Sequence, residues 1–379
     1  MCEVGILPGM GMSDPARYPP VAVLRAYGID GTSPEPGPGV WAEAQHAAAV
    51  LAGVPTHAGP AARTEALRLA TTAVGGVVGA LSAGGPAVVG EDLSPRSTSE
   101  SFFRVREVEL SDRQAALHGV SVVHRGLRDL CHAPISGADL AVEVAAMRRA
   151  VVDLTGSPTA GDPPPPRPSA PGPDVEGSLE QVWTARWIIG HHVHVLFNLC
   201  AAVAVTDAVR HLRERARQAA VERLEHATAF VRGFPAAMAH AGTIPVEYYA
   251  SSVRPSMQPP NVDKALSGRQ HSAYKVFRAA MKDLLGVVPD PYERLAAKDP
   301  ELAEARDALL EADLIDSERH VALAYSMVRL RRSIAQSPQG PDNAVGELRL
   351  MRHRRAAQYA PLIRFGDHYI SDAVASLRR

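Results

Sequence analysis

A proline-free stretch of more than fifty residues, 179–232, most constrains the fold of this chain. Ser178 before it is a residue type that favours helix N-caps, and Gly-Phe-Pro at 233–235 is expected to stop a helix. The stretch therefore predicts one long helix, or two helices broken near Thr206 and Asp207. Its first half is apolar and its second half is charged, so it should begin in a core and end at the surface.

The apolar part of this stretch, Trp187 to Val205, is long enough to imitate a membrane span. It carries His191, His192, His194 and an asparagine, and such side chains are costly to place in hydrocarbon. The pattern therefore favours a buried core helix of a soluble protein. No membrane partner is expected.

Helical periodicity also fills most of the remaining chain. Ala, Leu, Arg, Val and Glu dominate, and this mixture favours helix over sheet. No convincing alternating strand pattern and no internal repeat is visible, so the sequence predicts an all-α fold, a helical bundle. Further helices are expected over 41–154 with a break at 82–101, and at about 236–240, 270–285, 300–335 and 345–359.

Proline-rich and glycine-rich stretches suggest how the chain is divided. Residues 1–40 should be irregular, and residues 156–177 resemble a polyproline linker or exposed loop. We therefore expect an N-terminal helical part (1–155), this linker (156–177) and a C-terminal helical part (178–379). One compact domain overall is the alternative.

Charge and cysteine content limit the partners and the compartment. The formal net charge is -1, from 40 basic and 41 acidic residues, so no overall field favours nucleic acid or an anionic membrane. Cys2, Cys131 and Cys200 lie far apart, without disulfide or metal-binding spacing. No charged segment leads into an apolar one at the N-terminus. These features predict a cytoplasmic protein.

Histidines on helices are the main candidates for chemistry. The sequence contains no phosphate-binding loop, no dinucleotide fingerprint, no nucleophile elbow and no His-Glu-x-x-His. At helical spacing, His191 and His194 share one face and His192 lies on the neighbouring face. They are either core residues or functional ones, with His191 and His192 as catalytic candidates. A dimetal site is a weaker alternative because no matching Glu-x-x-His motif occurs.

His320 is a candidate metal ligand. The residues three, four and seven positions later are Leu323, Ala324 and Met327, so the imidazole should point into an apolar interior. A buried neutral imidazole can be an axial ligand of haem iron, and Arg329 and Arg331 could then bind the haem propionates. The alternative is a core histidine followed by a basic helix end.

The segment 254–278, RPSMQPPNVDKALSGRQHSAYKVFR, is a candidate substrate site. Its Arg-Pro-Ser-Met-x-Pro-Pro start is expected to be too rigid for a helix. Arg254 and Arg278 could hold an amino-acid carboxylate, and Ser267 and Gly268 would let backbone approach a ligand closely. The alternative is a structural crossover with surface arginines.

Together these residues resemble the histidine-ligated haem-dependent aromatic oxygenase superfamily, which includes tryptophan 2,3-dioxygenase. Residues 251–271, SSVRPSMQPP followed by LSG and a histidine, are most similar to the branch of monodechloroaminopyrrolnitrin synthase and the bacterial haem tyrosine hydroxylases. LSGRQHSAYKVFR also resembles the dioxygenase segment whose arginine holds the substrate carboxylate. IIGHHVHVLF is similar to its distal helix, and His320 to its proximal histidine.

The resemblance implies a tryptophan 2,3-dioxygenase-like helical fold with haem b, ligated by His320 in the C-terminal part. It implies an oxidoreductase that uses dioxygen or peroxide to hydroxylate or rearrange an aromatic amino acid or derivative in secondary metabolism. Arg278 would bind the substrate carboxylate. Ala324 stands where some relatives carry a cysteine, so no thioether to haem is expected. A homodimer, a non-haem dimetal oxygenase and a cofactor-free binding protein stay open.

Overall fold

Helices form nearly all the regular structure in the computed structural model, which describes residues 18–26, 37–85, 87–157, 178–263, 265–266, 270–328 and 344–366. The N-terminal helices are α1 (Pro38–Ala52), α2 (Pro60–Ser82), α3 (Thr98–Phe102), α4 (Asp112–Leu130) and α5 (Gly137–Thr155). The later helices are α6 (Leu179–Arg213), α7 (Arg217–Ala241), α8 (Val246–Tyr248), α9 (Arg254–Ser256), α10 (Ser272–Val287), α11 (Tyr292–Lys298), α12 (Pro300–Val328) and α13 (Ala344–Tyr359).

Two short strands that the sequence pattern did not predict pair in parallel. They are β1 (Ala22–Arg25) and β2 (Val105–Val108), with Ala22 opposite Val105. Each has four residues, too few for an alternating pattern to stand out in the sequence. They join the start of the described chain to the segment between α3 and α4.

Helices α6 and α7 form the central antiparallel pair. Ser178 caps α6 as predicted: its Oγ accepts from the Gln181 backbone N–H at 3.3 Å, and the Gln181 side chain accepts from the Ser178 N–H at 2.7 Å. The break between the helices lies at 214–216, where Arg215 has a φ of 63°, and not near Thr206.

The expected stop at 233–235 is wrong, because Pro235 lies inside α7. Gly233 lets this helix approach its neighbours closely, since a Cβ there would lie 2.8 Å from Ala146 Cβ and 2.9 Å from the Phe197 ring. Phe234 and Pro235 are themselves buried. Packing on both sides therefore holds the helix through the proline, which removes one backbone hydrogen bond.

The helices on both sides of the proline-rich stretch share one hydrophobic core. Helix α5 packs against α7 and α4 against α6, and residues such as Met147 and Val193 belong to the same buried cluster. Residues 158–177 lie outside the described part of the chain, so a linker there stays a prediction.

The stiff segment of the sequence is partly helical, contrary to expectation. Tyr249–Val253 form a π-helical turn, and α9 follows directly. Pro255 is tolerated because it stands in the first turn of α9, where a backbone N–H has no intrahelical partner. Arg254 is thereby held on a helical turn rather than on an extended loop.

Helix α6 is long and apolar enough, by length and composition alone, to cross a membrane. In the structure 72% of its most apolar window is buried inside the protein. Such burial fits the core helix expected from the sequence. Helix α10 packs against α6, α12 against α7, and α13 against α12.

Candidate active site

A cavity of about 500 Å³ lies among α6, α7, α10, α12 and α13. Its volume is within the range of about 300–1,000 Å³ typical of small-molecule and cofactor sites. Most of its wall is apolar and aromatic, and several histidines and arginines line it as well. The aromatic part consists of Phe103, Trp187, Phe234, Tyr249, Tyr274 and Phe277.

His320 contributes to the cavity wall from α12. Leu323, Ala324 and Met327, which the sequence placed beside it, line the same cavity. His320 is exposed as a residue, yet burial by the surrounding protein, together with the charge of Arg355, lowers the pKa of its imidazole. No hydrogen bond joins its ring to another described residue, so a nitrogen lone pair is available to a ligand.

His191 lines the cavity from α6, and its tautomer is fixed. Its Nδ1–H donates to the Trp187 carbonyl oxygen at 2.6 Å, which leaves Nε2 as an acceptor. The ring stacks on Phe103 with centroids 4.4 Å apart and lies 4.5 Å from the Trp187 ring. Burial lowers the pKa of His191 to about 3, so the imidazole is neutral.

His192 does not line the cavity, which corrects its prediction as a catalytic residue. It is buried on the other face of α6, where its Nε2–H donates to the Phe103 carbonyl oxygen at 2.6 Å. His194 does line the cavity and packs edge-on against Phe234 at 5.5 Å. The helical spacing correctly grouped His191 with His194.

Arg278 lines the cavity, but its guanidinium is already paired. Its two terminal nitrogens donate to the carboxylate of Asp313 at 2.8 and 2.7 Å. Arg355 and Tyr359 bind the same carboxylate at 3.0 and 2.7 Å. Asp313 thus supplies a carboxylate to Arg278 from within the protein, and a role for Arg278 toward the substrate carboxylate stays a prediction. Sequence reasoning could not foresee this pairing, since 35 residues separate the pair.

Arg254 lies on the cavity wall, as a substrate-binding arginine requires. Four predicted site residues lie outside the described part of the chain, and their roles stay predictions: Ser267, Gly268, Arg329 and Arg331. Two other arginines, Arg352 and Arg355 of α13, line the cavity. The cluster of basic residues in the sequence of α13 could have indicated these two arginines.

Two further titratable residues of the cavity, His271 and Asp316, were assigned no role from the sequence. His271 precedes α10, approaches Ser99 Oγ through Nε2 at 3.2 Å and has a pKa lowered to about 4 by burial. Asp316 stands one helical turn before His320, and burial together with the Asp313 charge raises its pKa to about 7. Two features of the sequence could have indicated these residues. His271 stands at the start of a predicted helix, and Asp316 lies four residues before His320 on the same helix face.

Among the described residues, no group of three or more His, Cys, Asp and Glu is arranged to hold a metal ion. The cavity instead offers single histidines separated by apolar and aromatic side chains. A planar, largely apolar cofactor with one axial ligand suits this arrangement better than a cluster of bare metal ions.

Comparison with known proteins decides the family. Residues 28–305 match the family model described as SfmD 3-methyl-L-tyrosine peroxygenase. The chain belongs to this family. It is therefore a haem-dependent oxygenase of aromatic amino acids or their derivatives, and the superfamily, enzyme class and cofactor predicted from the sequence are confirmed. His191, His271 and Arg278 lie within the matched residues, whereas His320 follows them.

A solved structure agrees with the helical fold. The crystal structure of reduced SfmD, obtained by soaking with sodium hydrosulfite, matches the chain with a TM-score of 0.53 at 19% identity. The match covers 80% of this chain and 98% of that one. The all-α fold class is thereby confirmed. No curated protein matches the sequence.

Proposed function

We propose that this member of the SfmD family is a peroxygenase that hydroxylates the ring of a tyrosine derivative in a secondary-metabolite pathway. The family description supports peroxide as oxidant and a methylated tyrosine as substrate. The observation that carries the proposal for this chain is one cavity shared by His320 of α12 and the neutral His191 of α6. Dioxygen as oxidant and ring rearrangement are the alternatives within the same site.

The residues around the cavity fit a haem. His320 offers a neutral imidazole with accessible surface, and Leu323, Ala324 and Met327 supply an apolar wall beside it. Arg355 adds a guanidinium group that could bind a propionate, since the buried Asp313 balances only one of the two charges of Arg278 and Arg355. Arg352 lines the same wall and pairs with Glu318. Ala324 has no group that could bind haem covalently. We therefore propose that His320 would hold the iron of a haem that is not attached covalently to the chain.

Haem, when bound, supplies the activation of peroxide and the oxygen transfer. The chain's own residues position the substrate. His191 Nε2 can accept a hydrogen bond from a hydroxyl group, and its low pKa keeps it neutral, so it orients that hydroxyl without taking up its proton. Phe234 and Phe277, edge to face at 5.2 Å, give an apolar wall for an aromatic ring.

Arg254 is the arginine that we assign to the substrate carboxylate. It lines the cavity on the π-turn and α9 segment, whose prolines limit the ordering cost of binding. Location in the cytoplasm, the absence of nucleic-acid and membrane partners, and assembly as a homodimer stay predictions from the sequence.

The visible spectrum of the purified full-length protein tests the proposal. The parent should show a Soret band, and 3-methyl-L-tyrosine with hydrogen peroxide should yield a product heavier by one oxygen atom. The His320→Ala variant should lose the Soret band. The His57→Ala variant should retain it, because His57 is an exposed residue. A colourless parent would refute haem binding, and an unchanged spectrum in His320→Ala would refute the ligand assignment.

A further inference from the structure

Two aromatic pairs lie between the cavity and a groove on the protein surface. Trp187 and Tyr249 line the cavity, and their ring centroids are 5.3 Å apart. Trp183 and Tyr248 form a second pair at 5.1 Å. Trp183 also lines an open groove of about 680 Å³ between the start of α6 and the turn after α7. The two pairs thus reach from the cavity to solvent.

The two pairs are neighbours along the chain. Trp183 and Trp187 stand one turn apart on α6, where side chains are neighbours, and Tyr248 and Tyr249 are consecutive. We call Trp187, Tyr249, Tyr248 and Trp183 the aromatic relay. Both centroid distances lie within the range of about 4.5–7 Å typical of aromatic pairs in contact. Electrons move rapidly between oxidisable rings at such distances.

Packing alone does not account for two polar details. The Trp187 indole Nε1–H is buried without a hydrogen-bond partner among the described residues, although buried indoles usually have one. The Tyr248 hydroxyl is held by the Glu180 carbonyl at 3.1 Å and by Thr184 Oγ1 at 2.5 Å. The chain has three tryptophans, and two of them belong to this group. Oxidisable side chains are therefore concentrated between the cavity and the groove.

We propose that the aromatic relay would carry electrons from the surface groove to the cavity when peroxide reacts there and no substrate is bound. The inference rests on the proposed peroxygenase function. Each hydrogen peroxide then takes up two electrons from the relay and two protons from solvent, and leaves as two water molecules; solvent regains two protons from the indole of Trp183. The electrons come from two molecules of a soluble one-electron reductant such as ascorbate, and each gives one electron and one proton at the groove.

In each transfer Trp183 loses an electron to the relay and its indole proton to solvent, and the reductant restores both. The relay would thus protect the cavity wall, including Met238, Met257 and Met327, from oxidation in the absence of substrate. Its function is separate from substrate hydroxylation. It adds a reductant site at the groove to the site in the cavity.

Exposure of the haem-loaded protein to hydrogen peroxide without substrate tests the relay. Trp183→Phe should shorten the half-life of the Soret band several-fold and shift oxidation, mapped by peptide mass spectrometry, from Trp183 to cavity residues. Ascorbate should protect the parent but not this variant. Tyr248→Phe, which keeps the ring but not its redox activity, should behave like Trp183→Phe.

Trp41→Phe is the matched control, because Trp41 lies on α1, donates to the Thr155 carbonyl and lines neither the cavity nor the groove. The half-life of its Soret band and its sites of oxidation should equal those of the parent. Equal results for the parent, Trp183→Phe and Tyr248→Phe, with haem bound and substrate hydroxylated, would overturn the relay alone. A parent that binds no haem would overturn both the relay and the proposed function.

Discussion

Three side chains converge on the buried carboxylate of Asp313 at the cavity wall. Arg278 binds it through two hydrogen bonds, and Arg355 and Tyr359 through one each. Burial alone would raise the pKa of this carboxyl, but the Arg278 and Arg355 charges lower it overall. The carboxylate is therefore ionised and joins α10, α12 and α13.

Asp313→Ala should destabilise the protein by about 3–5 kcal/mol, because it leaves two guanidinium groups without their buried partner. The free energy of unfolding from urea titration measures this loss. Glu318→Gln, which removes the exposed carboxylate that pairs with Arg352, should change it by about 0–1 kcal/mol. Similar losses in the two variants would contradict this account of Asp313.

At single residues, the sequence predicted positions on helix faces better than it predicted partners. Helical spacing grouped His191 with His194 and gave His320 an apolar face, because a helix fixes which residues share a face. All three line the cavity. It could not show that His192 binds the Phe103 carbonyl or that Asp313 pairs with Arg278. Those contacts join residues 89 and 35 positions apart, and only the tertiary fold decides them.

At the level of elements, helix type and most boundaries followed from periodicity and capping residues. The predicted 270–285 and 345–359 agree with α10 and α13 within three residues, and Ser178 caps α6. Two of the failures lie at Pro235 and Pro255, where local preference alone misleads. Packing holds α7 helical through Pro235. Pro255 stands in the first turn of α9, where its missing N–H costs no intrahelical hydrogen bond.

The contact between α6 and α7 depends on Gly190. A Cβ there would lie 2.7 Å from the Ala241 backbone nitrogen and 2.5 Å from the Ala241 Cβ. Gly190→Ala should therefore separate the two helices and destabilise the protein by about 1–3 kcal/mol. Gly79→Ala on α2, where nothing lies within 4 Å, should stabilise it by about 0.4–1 kcal/mol. Thermal unfolding of both variants checks the prediction, and a stabilised Gly190→Ala would refute it.

At the scale of the whole molecule, a buried ionic network joins four helices from both parts of the chain. His240 of α7 donates to Glu143 of α5 at 2.9 Å and to Asp129 of α4 at 2.7 Å, and Asp129 accepts from Arg186 of α6 at 3.0 Å. No local pattern reveals it, because 97 and 111 residues separate His240 from its two partners. The network ties the N-terminal helices to the helices that line the cavity.

Burial alone would lower the pKa of His240, but the Glu143 and Asp129 carboxylates raise it to about 10. Its ordinary value is 6.5, so the folded state binds the additional proton between the two values. The stabilisation from His240 is therefore complete below about pH 6.5 and is lost as pH rises toward 10. Asp129, whose pKa is lowered overall, contributes above its ordinary value of 3.8 and loses this contribution at lower pH.

His240→Ala should destabilise the protein by about 3–5 kcal/mol at pH 6.5, because the buried Glu143 loses its cationic partner and Asp129 loses one of two. The loss should shrink as pH rises from 6.5 to 10, since the parent itself gives up the proton over that range. Urea unfolding at several pH values measures both effects, with the exposed His57→Ala as control. A loss that is the same at every pH would mean that His240 contributes by packing alone, and the charge-based link between the two halves would then be wrong.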